Sequence, residues 1–153
     1  MDKYKISFLS GVLAGVILDV ADYISFLIQK SFQIKHILYA DYMTAALLQG
    51  KPSKNVFEFL CGQFFHLIFT GFIGCVYIFV LTAIREKNTI FKGWLISGIG
   101  VWFIAFLIGV LYKIELFVKV QMNTVLSDFF TASIFGIAFS IIYGYFEDKY
   151  KHE

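Results

Sequence analysis

Four apolar stretches, 6–28, 56–84, 90–112 and 128–146, constrain this chain more than any other feature of its sequence. A helix rises about 1.5 Å per residue, so about 20 apolar residues cross the ~30 Å hydrocarbon core of a bilayer. Each stretch is long enough or nearly so, and the second is overlong, which predicts tilt or projection past the bilayer. The composition points the same way. Charged residues make up 16% of the 153 positions and hydrophobic ones 59%, with a mean hydropathy of +0.75, where a soluble domain carries about 25% charged residues. No segment alternates as a membrane barrel strand does. The expected fold class is therefore all-α: a single domain over 1–153, a polytopic membrane protein of four transmembrane helices. A net charge of +2, scattered along the chain, argues against a nucleic-acid partner. The expected partner is the lipid bilayer.

The connections complete this picture. Residues 29–55 separate the first two spans, and QIKHILYADYMTAALLQG places Ile34, Ile37, Leu38, Ala45 and Leu48 at helical spacing. Gly50, Lys51 and Pro52 form a helix stop. An interfacial helix between spans one and two, lying on the bundle or dipping into its mouth, is expected. The connection 113–127 carries a second apolar piece, IELFVKV, with Glu115 and Lys119 at helical spacing. Both long connections fall at one end of the bundle. The other end has the N-terminus, the turn Arg85–Thr89 and the tail from Glu147. Lys and Arg divide seven to six between the ends, the seven lying in the shorter segments. That distribution places both termini in the cytoplasm. Lys3 and Lys5 before the first apolar run mimic a secretion signal, but carboxylates inside the run and no small-residue cleavage site predict that it stays as the first span.

Within the first span, Gly11, Gly15, Asp19 and Asp22 lie on one helical face, so two small residues give way to two intramembrane carboxylates. Measured from the long-loop end, Asp19 and Asp22 sit roughly 14 and 9 Å deep, and Gln63 and His66 of the second span roughly 12 and 16 Å. These four residues share a depth band and are the candidate ligand or ion site, because a charge near the bilayer core is costly unless paired or wetted. Small residues recur every fourth position around His66 in the second span (Gly62, Thr70, Gly74) and in the fourth (Gly136, Ser140, Gly144), and the third contributes Gly93, Ser97 and Gly100. Such stripes let helices approach closely in lipid. A tight neck at the cytoplasmic end and a polar chamber at the other are expected, the chamber partly covered by His36, Asp41 and Tyr42.

Other polar residues have local explanations. Glu58 three residues after Asn55 fits a capping box, and Asp128 after Ser127 fits a helix start. Cys61 and Cys75 are fourteen residues apart in one helix, about 21 Å, too far to bridge. Two carboxylates near a His could begin a divalent-cation site or a proton relay. No HExxH, paired ExxH or phosphate loop is present, so no catalytic residue is assigned, and metal and cofactor stay unknown.

KGWLISGIGVWF (92–103), MNTVLSDFFTASIFG (122–136), HLIFTGFIGCVY (66–77) and LYADYMTAALLQGKPSKN (38–55) resemble a family of small four-helix membrane proteins of Firmicutes. The resemblance covers most of the chain and implies a bacterial plasma-membrane protein. The family has no established activity to carry over. Asn stands in it where this chain has Asp22 and Asp128, which implies that hydrogen bonding rather than fixed charge matters there.

Three readings stay open. The leading one is an integral membrane protein, without enzymatic activity of its own, that binds or passes a small polar solute, cation or proton through the chamber. A homodimer or protein partner is expected because the chain is short for a lone transporter. The second is a structural or accessory subunit whose polar residues only set helix register. The third is a membrane-embedded metal-dependent enzyme using His66 and the aspartates.

Overall fold

The computed structural model describes residues 2–48, 51, 53–81, 89–113 and 120–150, and among them every regular element is helical. Asp2 opens α1 (Lys3–Ser31), its carboxylate accepting from the Tyr4 N–H. A short α2 (Tyr39–Leu47) follows, then α3 (Val56–Leu81). The start of α3 is capped by Asn55 and Glu58 in a variant of the capping box, with Glu58 reaching back one residue beyond the cap. Asn55 Oδ1 accepts from the Glu58 N–H at 2.9 Å, and the Glu58 carboxylate accepts from Lys54 N–H at 2.7 Å. The third long helix is built of α4 (Thr89–Gly93), a seven-residue π-helix (Trp94–Gly100) and α5 (Val101–Leu111). The last helix is α6 (Met122–Tyr150). Four helices, Lys3–Ser31, Val56–Val80, Ile90–Leu111 and Met122–Tyr150, are long and apolar enough to cross a membrane.

Two boundaries depart from the sequence expectation in ways that matter. The fourth helix starts at Met122, six residues before Asp128, because nothing in MNTVLS breaks a helix and the Thr124 hydroxyl anchors the first turn to the Lys35 carbonyl at 3.0 Å. Asp128 is therefore not a helix cap; it lies inside α6 and is buried. The second departure is the π-helix, which no pattern in WLISGIG announced. The expected end of the second span at 84, the turn residues 85–88, the stop residues Gly50 and Pro52, and the pair Glu115 and Lys119 lie outside the described residues.

The helices pack as a bundle in which α1 lies against α3 and α6, and α6 against α4 and the π-helix. The core runs through Ile6, Ala14 and Leu18 of α1, Ile73 and Tyr77 of α3, and Phe135, Phe139 and Tyr143 of α6. Tyr77 and Phe139 meet edge-to-face with centroids 4.7 Å apart. Small residues make the close approaches. A Cβ on Gly11 or Gly15 would strike Thr70, one on Gly74 would strike the Ser7 carbonyl, and one on Gly62 would strike Thr44 and Ala40 of α2. One on Gly136 would stand 2.6 Å from the Gly93 carbonyl and 2.8 Å from Gly98 N. Gly144 is the exception among the expected packing residues: no described atom lies within 4 Å of where its Cβ would be, so it closes no interface. The α5 half of the third helix stands apart, with Gly109 its one buried residue.

Candidate functional site: a polar cluster beneath α2

The polar side chains gather where α2 is tucked between the ends of α1, α3 and α6, and Tyr39 is their common neighbour. Its backbone N–H, a first-turn donor that the helix itself leaves unpaired, donates to Asp22 Oδ2 at 2.9 Å. Its hydroxyl donates to the Asp128 carbonyl at 2.9 Å and lies 3.2 Å from Thr131 Oγ1. Its ring stacks on His66 at 5.3 Å. One residue thus ties α2 to three long helices.

Asp22 is 2% exposed and both of its oxygens are satisfied. Oδ2 caps α2 through Tyr39, and Oδ1 faces His36 Nε2 at 2.8 Å. The Gln29 amide lies 3.1 Å from His36 Nδ1. With that amide donating to Nδ1, the ring proton sits on Nε2 and points at the carboxylate. Asp128 contrasts with Asp22. Its Oδ2 accepts from the Tyr42 hydroxyl at 3.2 Å, while Oδ1 is buried without a hydrogen-bond partner. Ligand atoms of Asp22, His36 and Asp128 all lie within 4.8 Å of one another. Burial pushes the Tyr39 and Tyr42 phenols above their usual range, and the negative charge of Asp128 adds to the shift.

The four residues singled out from the sequence divide between two groups. Asp19, Gln63 and His66 come together: Gln63 Nε2 donates to Asp19 Oδ2, and His66 Nδ1 lies 2.8 Å from Asp19 Oδ1. That approach is an ion-pair distance too far off the ring axis to be a hydrogen bond, so Nδ1 stays unpaired in that sense. Asp22 turns away from this trio to His36 and Asp128. The other chamber residues divide as well, with Tyr42 in the cluster and Asp41 held outside it by Ser53. Sequence reasoning passed over Tyr39 and misread Asp128. The available signal was the pair Tyr39 and Tyr42, which share a face of α2 at i, i+3.

Two cavities flank the cluster. One of about 290 Å³ is bordered by Tyr39, Tyr42, His66, Ser97 and Asp128. The other, about 440 Å³, lies on the α1–α3 side against Asp19, Asp22 and Gln63. Chemically, the cluster can hold a proton or coordinate a cation through one imidazole nitrogen and carboxylate oxygens. No protein-family model, curated protein or solved structure matches the chain.

Proposed function

We propose that the protein is an integral membrane protein of the bacterial plasma membrane, with both termini in the cytoplasm, that binds a small cation at Asp22, His36 and Asp128. The observation that carries this reading is a buried trio, Asp22, His36 and Asp128, with one ligand atom of each within 4.8 Å of the others, in which Asp128 Oδ1 has no hydrogen-bond partner. A buried acceptor without a donor is costly, and a cation among the three groups would satisfy it. Bonds of about 2.0–2.2 Å to a divalent ion set tetrahedral ligand atoms about 3.4 Å apart, so Asp128 draws in while His36 Nε2 and Asp22 Oδ1, 2.8 Å apart, spread. The ion would replace the proton between His36 Nε2 and Asp22 Oδ1, so binding weakens as pH falls.

The test is thermal unfolding in detergent with Zn²⁺, Mn²⁺, Mg²⁺ and Na⁺, for wild type, Asp128→Asn and Asp22→Asn/Asp128→Asn. A cation at 100 times its Kd stabilises by about 2.7 kcal/mol. A rise in Tm that shrinks at lower pH and disappears in both variants supports the reading. No rise with any cation removes it. The second reading, a structural or accessory subunit, is favoured by one specific fact: Asp22 is already fully hydrogen-bonded as the cap of α2. Under that reading the double variant melts lower than wild type, and cations change neither protein.

A further inference from the structure

The 290 Å³ cavity beside the cluster has an apolar wall that cation binding does not use. Its walls are Phe69 and Ile73 of α3, Trp102, Ala105 and Phe106 of α5, and Phe135 of α6. The space exists because the third helix is drawn tightly to α6 only through Gly93 and the π-helix, where Gly98 sits against the Ala132 carbonyl. Beyond it, α5 departs from the bundle. Phe69 and Ile108 line the cavity and are 40% and 46% exposed, so it opens sideways between α3 and α5.

One end of this apolar slot is polar. Asp128 lines that end, is 4% exposed and carries the unpartnered Oδ1; Ser97, 2% exposed with an unpartnered hydroxyl, lines the slot farther along, level with Ala132 to Gly136. Asp128 lies six residues into α6, about 9 Å from its start, and Phe135 about 20 Å from it. A lipid in that leaflet has the same polarity profile, headgroup toward the interface and chain toward the midplane. At roughly the ~30 Å³ of a water-sized group, the cavity holds about ten methylene-sized groups. Its walls offer water few partners, and among the described residues no Lys or Arg lines it to receive an anion.

We infer that this cavity binds a single hydrocarbon chain bearing an amine headgroup, admitted sideways from the bilayer, with the ammonium group donating to Asp128 Oδ1. The inference rests on the helices lying in a bilayer; the ammonium competes with the cation of the preceding reading for Asp128 Oδ1.

Trp102 is a reporter in the wall, and Trp94 is the only other tryptophan. Trp94→Phe protein in nanodiscs is titrated with chain-brominated decyl-length amine, alcohol and carboxylate, following Trp102 quenching. Saturable quenching is expected, with the amine half-saturating at a concentration about tenfold below the carboxylate, the low end for a charge-assisted hydrogen bond. Asp128→Asn removes that preference. Ala105→Phe fills the slot and abolishes saturation; Ala46→Phe, on the α2 wall, is the second filler should the first fail to fold. Equal quenching by all three probes, or saturation that survives both fillers, overturns the inference. Neither filler alters Asp22, His36 or Asp128, so a cation-induced Tm rise measured on the same variants fails or stands separately.

Discussion

Gly136 and Gly144 look alike in the sequence and differ completely in surroundings. A side chain at Gly136 meets the backbone of Gly93 and Gly98, which cannot yield without moving the third helix, whereas Gly144 faces open space among the described residues. Gly136→Leu is expected to destabilise by about 1–3 kcal/mol through overpacking, and Gly144→Ala to be neutral or stabilising by up to about 1 kcal/mol through helix propensity. Reversible unfolding in mixed micelles compares the two, and equal effects would contradict the packing described. Ser97 offers a second residue-scale case. Its hydroxyl is buried without a partner, so Ser97→Ala is expected to raise stability by about 1 kcal/mol, read as a higher Tm in detergent without the amine probe. At the cluster, His36→Ala strips Asp22 Oδ1 of its donor and is expected to cost about 1–3 kcal/mol or more. Asp22→Asn, which keeps an acceptor for the Tyr39 N–H, costs less; the reverse order would mean that charge, not hydrogen bonding, holds α2.

At the scale of elements, α2 is held by buried phenols, and this has a pH signature. Tyr39 and Tyr42 ionise above the usual phenol range because burial and Asp128 oppose the phenolate. A folded-state value raised above the unfolded one stabilises below the unfolded value and loses that contribution as pH rises through the folded one. The contribution of these phenols to the docking of α2 is thus constant through neutral pH and is lost only in strong alkali. Spectrophotometric titration should show the Tyr39→Phe and Tyr42→Phe variants losing none of the phenols that titrate near the usual value. The long helices were legible because apolar runs of membrane length have few alternative structures, and the Glu58 box because its partners are three residues apart. The π-helix was not legible, since the close packing of Gly98 and Trp94 against Ala132 and Gly136 of α6 is tertiary and WLISGIG carries no sign of it. Nor was the regrouping of Asp22 with Asp128. Depth arithmetic places residues along a helix but says nothing about which neighbour each one faces, and only the insertion of α2 through Tyr39 turns Asp22 toward α6.

For the whole molecule, the same stripes that close one end of the bundle leave the other end open. At the turn end, Gly74, Gly93, Gly136 and Ser140 bring backbones together, and Tyr77, Phe139 and Tyr143 fill the space between. At the long-loop end, α1, α3 and α6 are joined through α2 and its hydrogen bonds, while among the described residues α5 meets α6 through Trp102 on Phe129 and is mostly exposed. Regions with few buried contacts open at low free-energy cost, so α5 should move relative to α3 while the neck stays fixed. Spin labels in a background with Cys61 and Cys75 replaced by Ser test this. Val56 and Leu111, 75% and 68% exposed, report the open end; Ile90 and Tyr145, 49% and 64% exposed, report the neck. Pulsed dipolar spectroscopy should give a broad distance distribution for the first pair and a narrow one for the second, the first narrowing when the saturating amine probe fills the cavity. Equal widths in the empty protein would mean that α5 is fixed by contacts beyond those described, and the cavity would then be a rigid gap rather than an entrance between two helices.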